Sequence, residues 1–146
     1  MIPVPIRNTI ECLLDDSLRQ AYGNGKRVFL SGGALGFDTM ASFAVLRLKE
    51  KQPNVRLIIA APCLSQPSRW SSSDREVYHS LLSLSDQVIY VSKEYFPGCM
   101  QKRNRFLVDH ADQCLCFLNN CRGGTWNTVS YAYDQGLLIH NLALEL

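Results

Sequence analysis

The chain contains 146 residues, of which 47% are hydrophobic and 19% are charged, and its formal net charge is +2. This length predicts one domain over residues 1–146, because domains commonly contain about 100–200 residues. The apolar content excludes a disordered chain, and the longest nearly apolar run, residues 57–64, is far shorter than the roughly 20 residues that cross a membrane. The N-terminus lacks the basic and apolar segments of a signal peptide, so we expect a cytoplasmic protein with no membrane partner.

The six cysteines fit a reducing compartment, in which thiols stay free. Cys114 and Cys116 lie two residues apart in an apolar segment, and Cys121 follows soon after. Zinc binding by these three is the alternative to free thiols. The sequence shows no CxxC pair and no histidine at ligand spacing, so we prefer free thiols and expect no metal site.

The first half of the chain alternates amphipathic and apolar segments. Apolar residues at helical spacing predict a helix over residues 6–21, which a Gly-Asn-Gly sequence ends. A short strand is predicted at residues 27–31 and a helix at 37–48. The nearly unbroken apolar strand predicted at 55–61 is typical of a parallel sheet covered by helices on both faces.

The second half continues this alternation. Ser73 and Glu76 form a capping-box pattern, which predicts the start of a third helix. The remaining predicted elements are a strand at 87–91, a helix at 99–111, a strand at 113–118, a helix at 125–135 and a strand at 137–142.

This alternation predicts an α/β fold, a Rossmann-like three-layer sandwich with a mainly parallel sheet of about five strands and helices on both faces. Within the domain we distinguish an N-terminal helix at residues 1–25 from a core at residues 27–142. Because the chain begins with a helix, either the sheet lacks a usual first strand or residues 1–6 supply a very short one. The local pattern does not determine strand order.

Ligands of such sheets bind at the carboxyl ends of the strands, which directs attention to the loops there. The first loop carries Ser31, Gly32, Gly33, Gly36 and Asp38 between a strand and a helix, where backbone N–H groups and the helix dipole favour a phosphate. No acidic residue follows the next strand to hold a ribose, and no Lys-Ser or Lys-Thr pair is present, so neither an NAD site nor a Walker A loop is indicated. The alternative is a turn whose glycines serve only packing.

Two further loops carry candidate ligand-binding residues. Arg69 and Trp70 follow the second strand and are suited to a phosphate and a base, unless they belong to an ordered surface loop. Gly123, Gly124 and Thr125 begin a helix and repeat the anion-binding pattern with an added hydroxyl, unless they form only a turn and an N-cap.

A basic cluster opens the fourth helix. Lys102, Arg103 and Arg105 lie in its first turns, where cations oppose the helix dipole, so an anionic partner explains them better than a solvated basic face. Helical spacing prevents Arg103 and Arg105 from sharing a face, which leaves at most one of them directed into a site. Together the four loops predict a nucleotide or another phosphate-bearing ligand.

The segments SGGALGFD, PC..Q..RW, PGCMQKRNR and RGGTWNTV occur in this order. Together they resemble the YpsA-like branch of the SLOG superfamily, which unites Smf/DprA DNA-processing proteins with cytokinin-activating LOG proteins. The resemblance covers residues 27–142 and implies a Rossmann-like fold that binds nucleotides or nucleotide-derived signals, including NAD- and ADP-ribose-related ligands. The binding residues that it implies by position are Gly32, Gly33, Gly36, Asp38, Arg103, Asn104, Gly123, Gly124 and Thr125.

Two departures from this pattern matter for function. LOG-type phosphoribohydrolases follow their glycine-rich loop with a catalytic glutamate, whereas residues 126–129 contain no carboxylate. Asp38 is the only acid in the rim motifs, so N-glycosidic hydrolysis would depend on it. YpsA-like chains also usually begin with a strand bearing a Gly-His-Arg element, which is missing here. The ligand site is then more open, or another subunit completes it.

We therefore expect a protein without a cofactor that senses or sequesters a nucleotide-derived small molecule. ADP-ribose- or NAD-related compounds and cyclic nucleotides are the candidate signals, and bacterial or phage defence signalling is the setting suggested by analogy. The first alternative is a nucleosidase or phosphoribohydrolase acting on nucleoside monophosphates through Asp38. The second is single-stranded DNA binding through the basic cluster, which the near-neutral charge disfavours. A homo-oligomer is also expected, with Trp126, Tyr131 and Tyr133 as contact candidates.

Overall fold

The computed structural model describes residues 4–146, in which helices and strands alternate along the whole chain. A short 3₁₀ helix, Leu142–Glu145, follows the last strand. The alternating elements are α1 Val4–Gly23, β1 Val28–Ser31, α2 Phe37–Lys51, β2 Arg56–Ala61, α3 Ser72–Leu84, β3 Gln87–Tyr90, α4 Cys99–Asp109, β4 Gln113–Cys116, α5 Gly123–Asp134 and β5 Leu138–Asn141.

The five strands of the described chain form two parallel sheets. One sheet has the order β1-β2-β3, with Ser31 opposite Ile59 and Ile59 opposite Val88, and the other pairs β4 with β5. Helices α1, α2 and α3 pack side by side, and α4 packs with α5. This arrangement confirms the predicted α/β, Rossmann-like class with about five parallel strands, although the strands are divided between two sheets.

The core lies where α1 and α2 cover β2. Leu57 and Ile59 are fully buried on one face of β2 and Ala60 is buried on the other, as expected for a strand that helices cover on both faces. Each such buried aliphatic side chain contributes about 1.5–3 kcal/mol of transfer free energy. The α-helical side chains that complete this cluster are Ile10, Leu14, Leu18, Ala44, Val45, Leu48 and Leu81.

The sequence prediction for the start of α3 is wrong. The helix begins at Ser72, and its N-cap is Ser71, whose Oγ accepts a hydrogen bond from the backbone N–H of Asp74 at 3.2 Å. Ser73 and Glu76 therefore do not form the capping box. Three consecutive serines offer equivalent caps locally, and the course of the preceding loop decides which one is used.

Of the two alternatives for the first strand, a short strand over residues 1–6 is not supported at residues 4–6, which already belong to α1. Pro5 suits this place, since the first turn of a helix does not need its missing N–H. Residues 1–3 lie outside the described part of the chain.

Asp86 links three segments at the amino-terminal end of the first sheet. One carboxylate oxygen accepts a hydrogen bond from the backbone N–H of Leu57 at 2.8 Å, and the other contacts Lys49 and, at 3.3 Å, Arg56. Lys49 is the largest cause that lowers the pKa of Asp86, with the Leu57 N–H and Arg56 acting in the same direction.

We expect Asp86→Ala to lower the melting temperature at pH 7 by roughly 2–4 °C, equivalent to about 1 kcal/mol. Because the folded-state pKa is lowered, the stabilisation by Asp86 is present above about pH 4 and is lost as the pH falls through the folded-state pKa. Melting measured in steps from pH 7 downward tests both effects, with Glu94→Ala as the exposed control. A loss that stays constant over the whole acid range would contradict the role of the charge.

Candidate functional site

The carboxyl ends of β1 and β4 meet at one edge of the fold, which we call the rim. After β1 the chain enters α2, which packs with α1 and α3, whereas after β4 it enters α5, which packs with α4 in the other helix layer. The place where two neighbouring strands lead to opposite helix layers is the usual ligand position in open α/β sheets. A cavity of about 590 Å³ opens here. The predicted site residues that line it are Ser31, Gly32, Asp38, Arg103, Asn104, Gly124 and Thr125.

The other predicted site residues lie outside the cavity lining: Gly33, Gly36, Arg69, Trp70 and Gly123. Gly33 is buried with a φ of +68°, and a Cβ there would lie 3.1 Å from side-chain atoms of Ile59 and Tyr78. Packing thus explains this glycine. Trp70 packs edge-on against Tyr78 with ring centroids 5.2 Å apart, whereas Arg69 is exposed. Ligand contact by Arg69 stays a prediction.

The first glycine loop (residues 31–38) uses its own side chains to satisfy two of its backbone N–H groups. The N–H of Gly33 donates to Ser31 Oγ at 3.3 Å, and the N–H of Ala34 donates to a carboxylate oxygen of Asp38 at 3.3 Å. The Asp38 carboxylate therefore occupies a position beside the start of α2 where an external anion would otherwise be favoured.

Ser42 supports this loop from α2, although the sequence analysis did not single it out. Its Oγ is buried, 2.8 Å from Ser31 Oγ and 2.7 Å from the carbonyl oxygen of Asp38. The sequence does contain a clue to this role. Ser42 is a hydroxyl residue among the apolar residues on the buried side of α2, four residues after Asp38. Such a side chain needs a buried polar partner.

Arg103 lies beneath the first glycine loop, with only 4% of its surface exposed. Its Nη1 donates to the carbonyl oxygens of Gly32 at 2.6 Å and Ala60 at 3.3 Å, and its Nε donates to Asn104 Oδ1 at 2.8 Å. Burial lowers the pKa of Arg103, while the charge of Asp38 opposes this effect. These contacts fasten α4 to the carboxyl ends of two strands.

Gln66 is a second structural partner that the sequence analysis did not identify as a site residue. Gln66 is buried. Its Nε2 donates hydrogen bonds to the Tyr78 hydroxyl at 3.1 Å and to the Gly32 carbonyl oxygen at 3.4 Å. Its Oε1 accepts a hydrogen bond from Arg103 at 3.4 Å. Gln66 is the glutamine of the PC..Q..RW segment. In that segment the sequence analysis assigned the ligand-binding role to Arg69 and Trp70 instead.

The second glycine loop (residues 122–125) is open. Arg122 is the N-cap of α5 but makes no side-chain capping hydrogen bond, and no atom lies within 4 Å of a Cβ built on Gly124. Gly124 and Thr125 are exposed and line the cavity. The first backbone N–H groups of α5 and its positive dipole end are thus available to an anion.

The other cations of the basic cluster point away from Arg103. The guanidinium of Arg105 lies 5.0 Å from the ring centroid of Tyr131, and the ammonium of Lys102 lies 5.9 Å from that of Phe96. Neither residue lines the cavity. Arg103 is the member of the cluster that faces inward, and there it bonds to protein carbonyls.

No group of three or more histidine, cysteine, aspartate or glutamate side chains is arranged to hold a metal within residues 4–146. All six cysteines are free thiols, and Cys114 and Cys116 interact with each other on β4. In the same part of the chain, no helix has the length and apolar character needed to cross a membrane.

We expect Arg103→Lys to destabilise the protein by about 2 kcal/mol or more, because a lysine cannot reproduce the planar set of donors and leaves buried carbonyl groups unpaired. Thermal melting should show a decrease of roughly 4–8 °C. Arg105→Lys is the matched control, since Arg105 is exposed and its guanidinium contacts only the face of the Tyr131 ring, and it should change the melting temperature by much less. Equal effects of the two substitutions would argue against Arg103 as the fastening residue.

Asp38→Asn tests the electrostatic state of the first glycine loop. Burial raises the pKa of Asp38, and Arg103 and the Ala34 N–H only partly offset this effect. A raised folded-state pKa means that stability from Asp38 is fully present below about pH 3.9 and is lost as the pH rises through the folded-state value. The variant should therefore gain stability relative to the wild type between pH 4 and pH 8 in melting experiments. A difference independent of pH would contradict this assignment.

Comparison with known proteins shows where this architecture belongs. The family described as "YspA SLOG family" (YpsA) matches residues 5–139. The chain is 34% identical over 116 residues to the uncharacterized SPbeta prophage-derived protein YoqJ of Bacillus subtilis strain 168, covering 71% of this chain and 68% of that protein. It is 32% identical over 103 residues to the UPF0398 protein BH1768 of Halalkalibacterium halodurans, covering 69% of this chain and 54% of that protein.

A UPF0398 protein of Ligilactobacillus salivarius is 27% identical over 108 residues, an alignment that covers 73% of this chain and 59% of that protein. The chain thus spans between about half and two thirds of the length of these relatives. The family match includes both glycine loops, Arg103, β1 to β4 and the first two residues of β5. The chain belongs to the YspA SLOG family.

Proposed function

We propose that the rim binds a nucleotide-derived small molecule, with a phosphate group at the start of α5, and retains it without cleaving it. Membership in the YspA SLOG family suggests binding of a nucleotide-related ligand. The observation that carries the proposal is the open second glycine loop at the mouth of the rim cavity. The cavity, about 590 Å³ in all, extends from the rim along β1 and β4 as far as Lys26 and Gln113, and its rim end is the part that serves the proposed ligand.

Groups around the cavity mouth match different parts of a nucleotide. The backbone N–H groups of Gly124 and Thr125 and the threonine hydroxyl are suited to phosphate oxygens. Asn104 uses its Oδ1 to accept from Arg103, which leaves its amide N–H groups as further donors at the cavity. Phe37 and Phe117, with ring centroids 6.2 Å apart, supply an apolar wall on which a base can lie.

Two features favour retention over hydrolysis. Residues 126–129 supply no carboxylate beside the second glycine loop. Asp38 is engaged by the Ala34 N–H and lies in the field of Arg103, so its carboxylate already has a structural role in the first glycine loop. Sensing or sequestering of an ADP-ribose-related compound, an NAD-related compound or a cyclic nucleotide is the specific form of the proposal.

A nucleosidase is the second candidate, and one observation favours it. Asp38 lines the cavity and has a raised pKa, which suits a general acid that must be protonated before it acts. Single-stranded DNA binding has less support. Arg103 is buried among carbonyl groups and Arg105 packs on Tyr131, so two of the three cations proposed for DNA phosphates have protein partners.

Homo-oligomer formation stays a prediction. Tyr133 and Trp126 are exposed on α5, with 74% and 38% of their surfaces accessible. The hydroxyl of Tyr131 instead donates to Asp109 at 2.7 Å, and its ring lies under Arg105, so this residue has partners within its own chain.

The ligand proposal predicts thermal stabilisation by at least one member of a panel containing ADP-ribose, NAD⁺, AMP and cyclic AMP. At a concentration about 100 times the dissociation constant, binding adds roughly 2.7 kcal/mol and should raise the melting temperature by about 5–10 °C. Gly124→Val should abolish this shift by placing a side chain over the free N–H groups. Gly23→Val is the matched control, because it adds the same atoms in open space at the end of α1.

Unchanged melting across the whole panel would refute the ligand proposal. Incubation with AMP, followed by chromatography for free adenine, distinguishes retention from cleavage. If the wild type releases adenine and Asp38→Asn does not, the protein is a nucleosidase and the proposal of binding without cleavage is wrong.

A further inference from the structure

Two cysteines of β4, Cys114 and Cys116, form a thiol pair that the proposed ligand site does not use. They are separated by one residue, and alternate side chains of a strand point to the same face of the sheet. Their thiols are joined by a hydrogen bond. Cys114 is partly exposed, Cys116 is buried, and both are free. A single strand therefore brings two sulfur atoms into contact.

The neighbouring side chains of β4 show on which face the thiol pair lies. Leu115 and Phe117 pack against the hydrophobic core, so Cys114 and Cys116 point to the opposite face of the strand. The helix that packs on β4 from the second layer is α5. The thiol pair thus lies between β4 and α5. Its geometry is a property of β4 itself and does not depend on what borders the edge of that strand.

The hydrogen bond between the two thiols gives them different roles. It lowers the pKa of Cys114 and raises the pKa of Cys116, because the S–H of Cys116 donates to the sulfur of Cys114. The thiolate is the form of cysteine that binds a metal ion. Cys114 is therefore the first of the two to lose its proton, and a cation that replaces the bridging hydrogen takes the place of the second proton.

The donor set determines which cation suits the thiol pair. Thiolates are soft ligands, which favour Cu(I), whereas zinc sites are nearly always tetrahedral with four ligands. Within residues 4–146, no third histidine, cysteine, aspartate or glutamate side chain joins the pair. Cu(I) is a closed-shell monovalent ion that is stable with two sulfur ligands on opposite sides. The thiol pair is accordingly a complete ligand set for Cu(I) and an incomplete one for zinc.

The surroundings also suit the charge of such a complex. Two thiolates and one Cu(I) carry a net negative charge, which a partly buried site must compensate. Cys116 ends β4 at the rim, where Gly124 and Thr125 in the first turn of α5 line the same cavity. The positive end of the α5 dipole favours an anion there. Asp38 is the one carboxylate among the described residues that line the cavity, and it belongs to the first glycine loop.

We propose that Cys114 and Cys116 bind one Cu(I) ion through both sulfur atoms. The two thiols lose their protons to solvent, two S–Cu bonds form, and the oxidation state of copper does not change because the ion enters as Cu(I). The site needs no nucleotide, so it stands independently of the ligand proposed for the rim.

Competition with a coloured Cu(I) chelator tests the site. The reduced full chain is mixed without oxygen with the Cu(I) complex of bicinchoninate, and the loss of colour measures the copper taken up. The wild type should take up one Cu(I) per chain. Cys114→Ser and Cys116→Ser should each weaken uptake by more than the roughly 10–100-fold that loss of an outer-shell partner costs. Cys12→Ser is the matched control, because it removes an exposed thiol of α1 and should leave uptake unchanged.

Thiol labelling of the wild type makes the test independent of how the variants fold. Iodoacetamide added to the native protein, followed by mass spectrometry of peptides, should modify Cys114 much more slowly once Cu(I) is present. The exposed Cys12 and Cys121 should keep their rates. Zn(II) at the same concentration should not protect Cys114, because the thiol pair lacks the ligands of a tetrahedral site. X-ray absorption at the copper edge should show two sulfur neighbours and no nitrogen.

Several results would overturn the proposal. One is unchanged Cu(I) uptake by a folded double variant, Cys114→Ser with Cys116→Ser. Another is equal protection of Cys114 by Zn(II), and a third is protection of Cys121 in its place. Dimers that form only with copper, measured by light scattering, would assign the ion to exposed thiols of two chains. If the serine variants do not fold, labelling and X-ray absorption of the wild type decide. Because no nucleotide is present, failure of the rim proposal leaves these measurements unaffected.

Discussion

The hydrogen bonds of the buried Arg103 guanidinium are the interaction on which the rim depends. A cation in the first turns of a helix opposes the helix dipole, and burial further disfavours its charge. Arg103 is held by the carbonyl oxygens of Gly32, which follows β1, and of Ala60, near the end of β2. The side chains of Gln66 and Asn104 accept further hydrogen bonds from its guanidinium. One side chain of α4 thus fixes the relative positions of two strand ends and of the loop after β2.

This buried cation also explains the residue types around it. A Cβ on Gly32 would lie 2.7 Å from Arg103 Nη1 and 2.9 Å from a carboxylate oxygen of Asp38, so only glycine leaves room for both charged groups. Asp38 then completes the loop by accepting from the Ala34 N–H. The first glycine loop is consequently built around its own anion and cation, while the second, at Gly124, is exposed and has no side-chain cap.

Local sequence patterns predicted most of the fold, because hydrophobic periodicity and glycine positions are local properties. They also placed both glycine loops and Arg103 at one rim, which follows from the strand–helix alternation. They did not distinguish the structural roles of Gly33, Trp70 and Arg103 from ligand binding, since those roles depend on contacts with residues distant in sequence, such as Ile59, Tyr78 and Ala60. The division of the strands into two sheets is equally non-local, because the sequence of one strand does not determine which strand it pairs with.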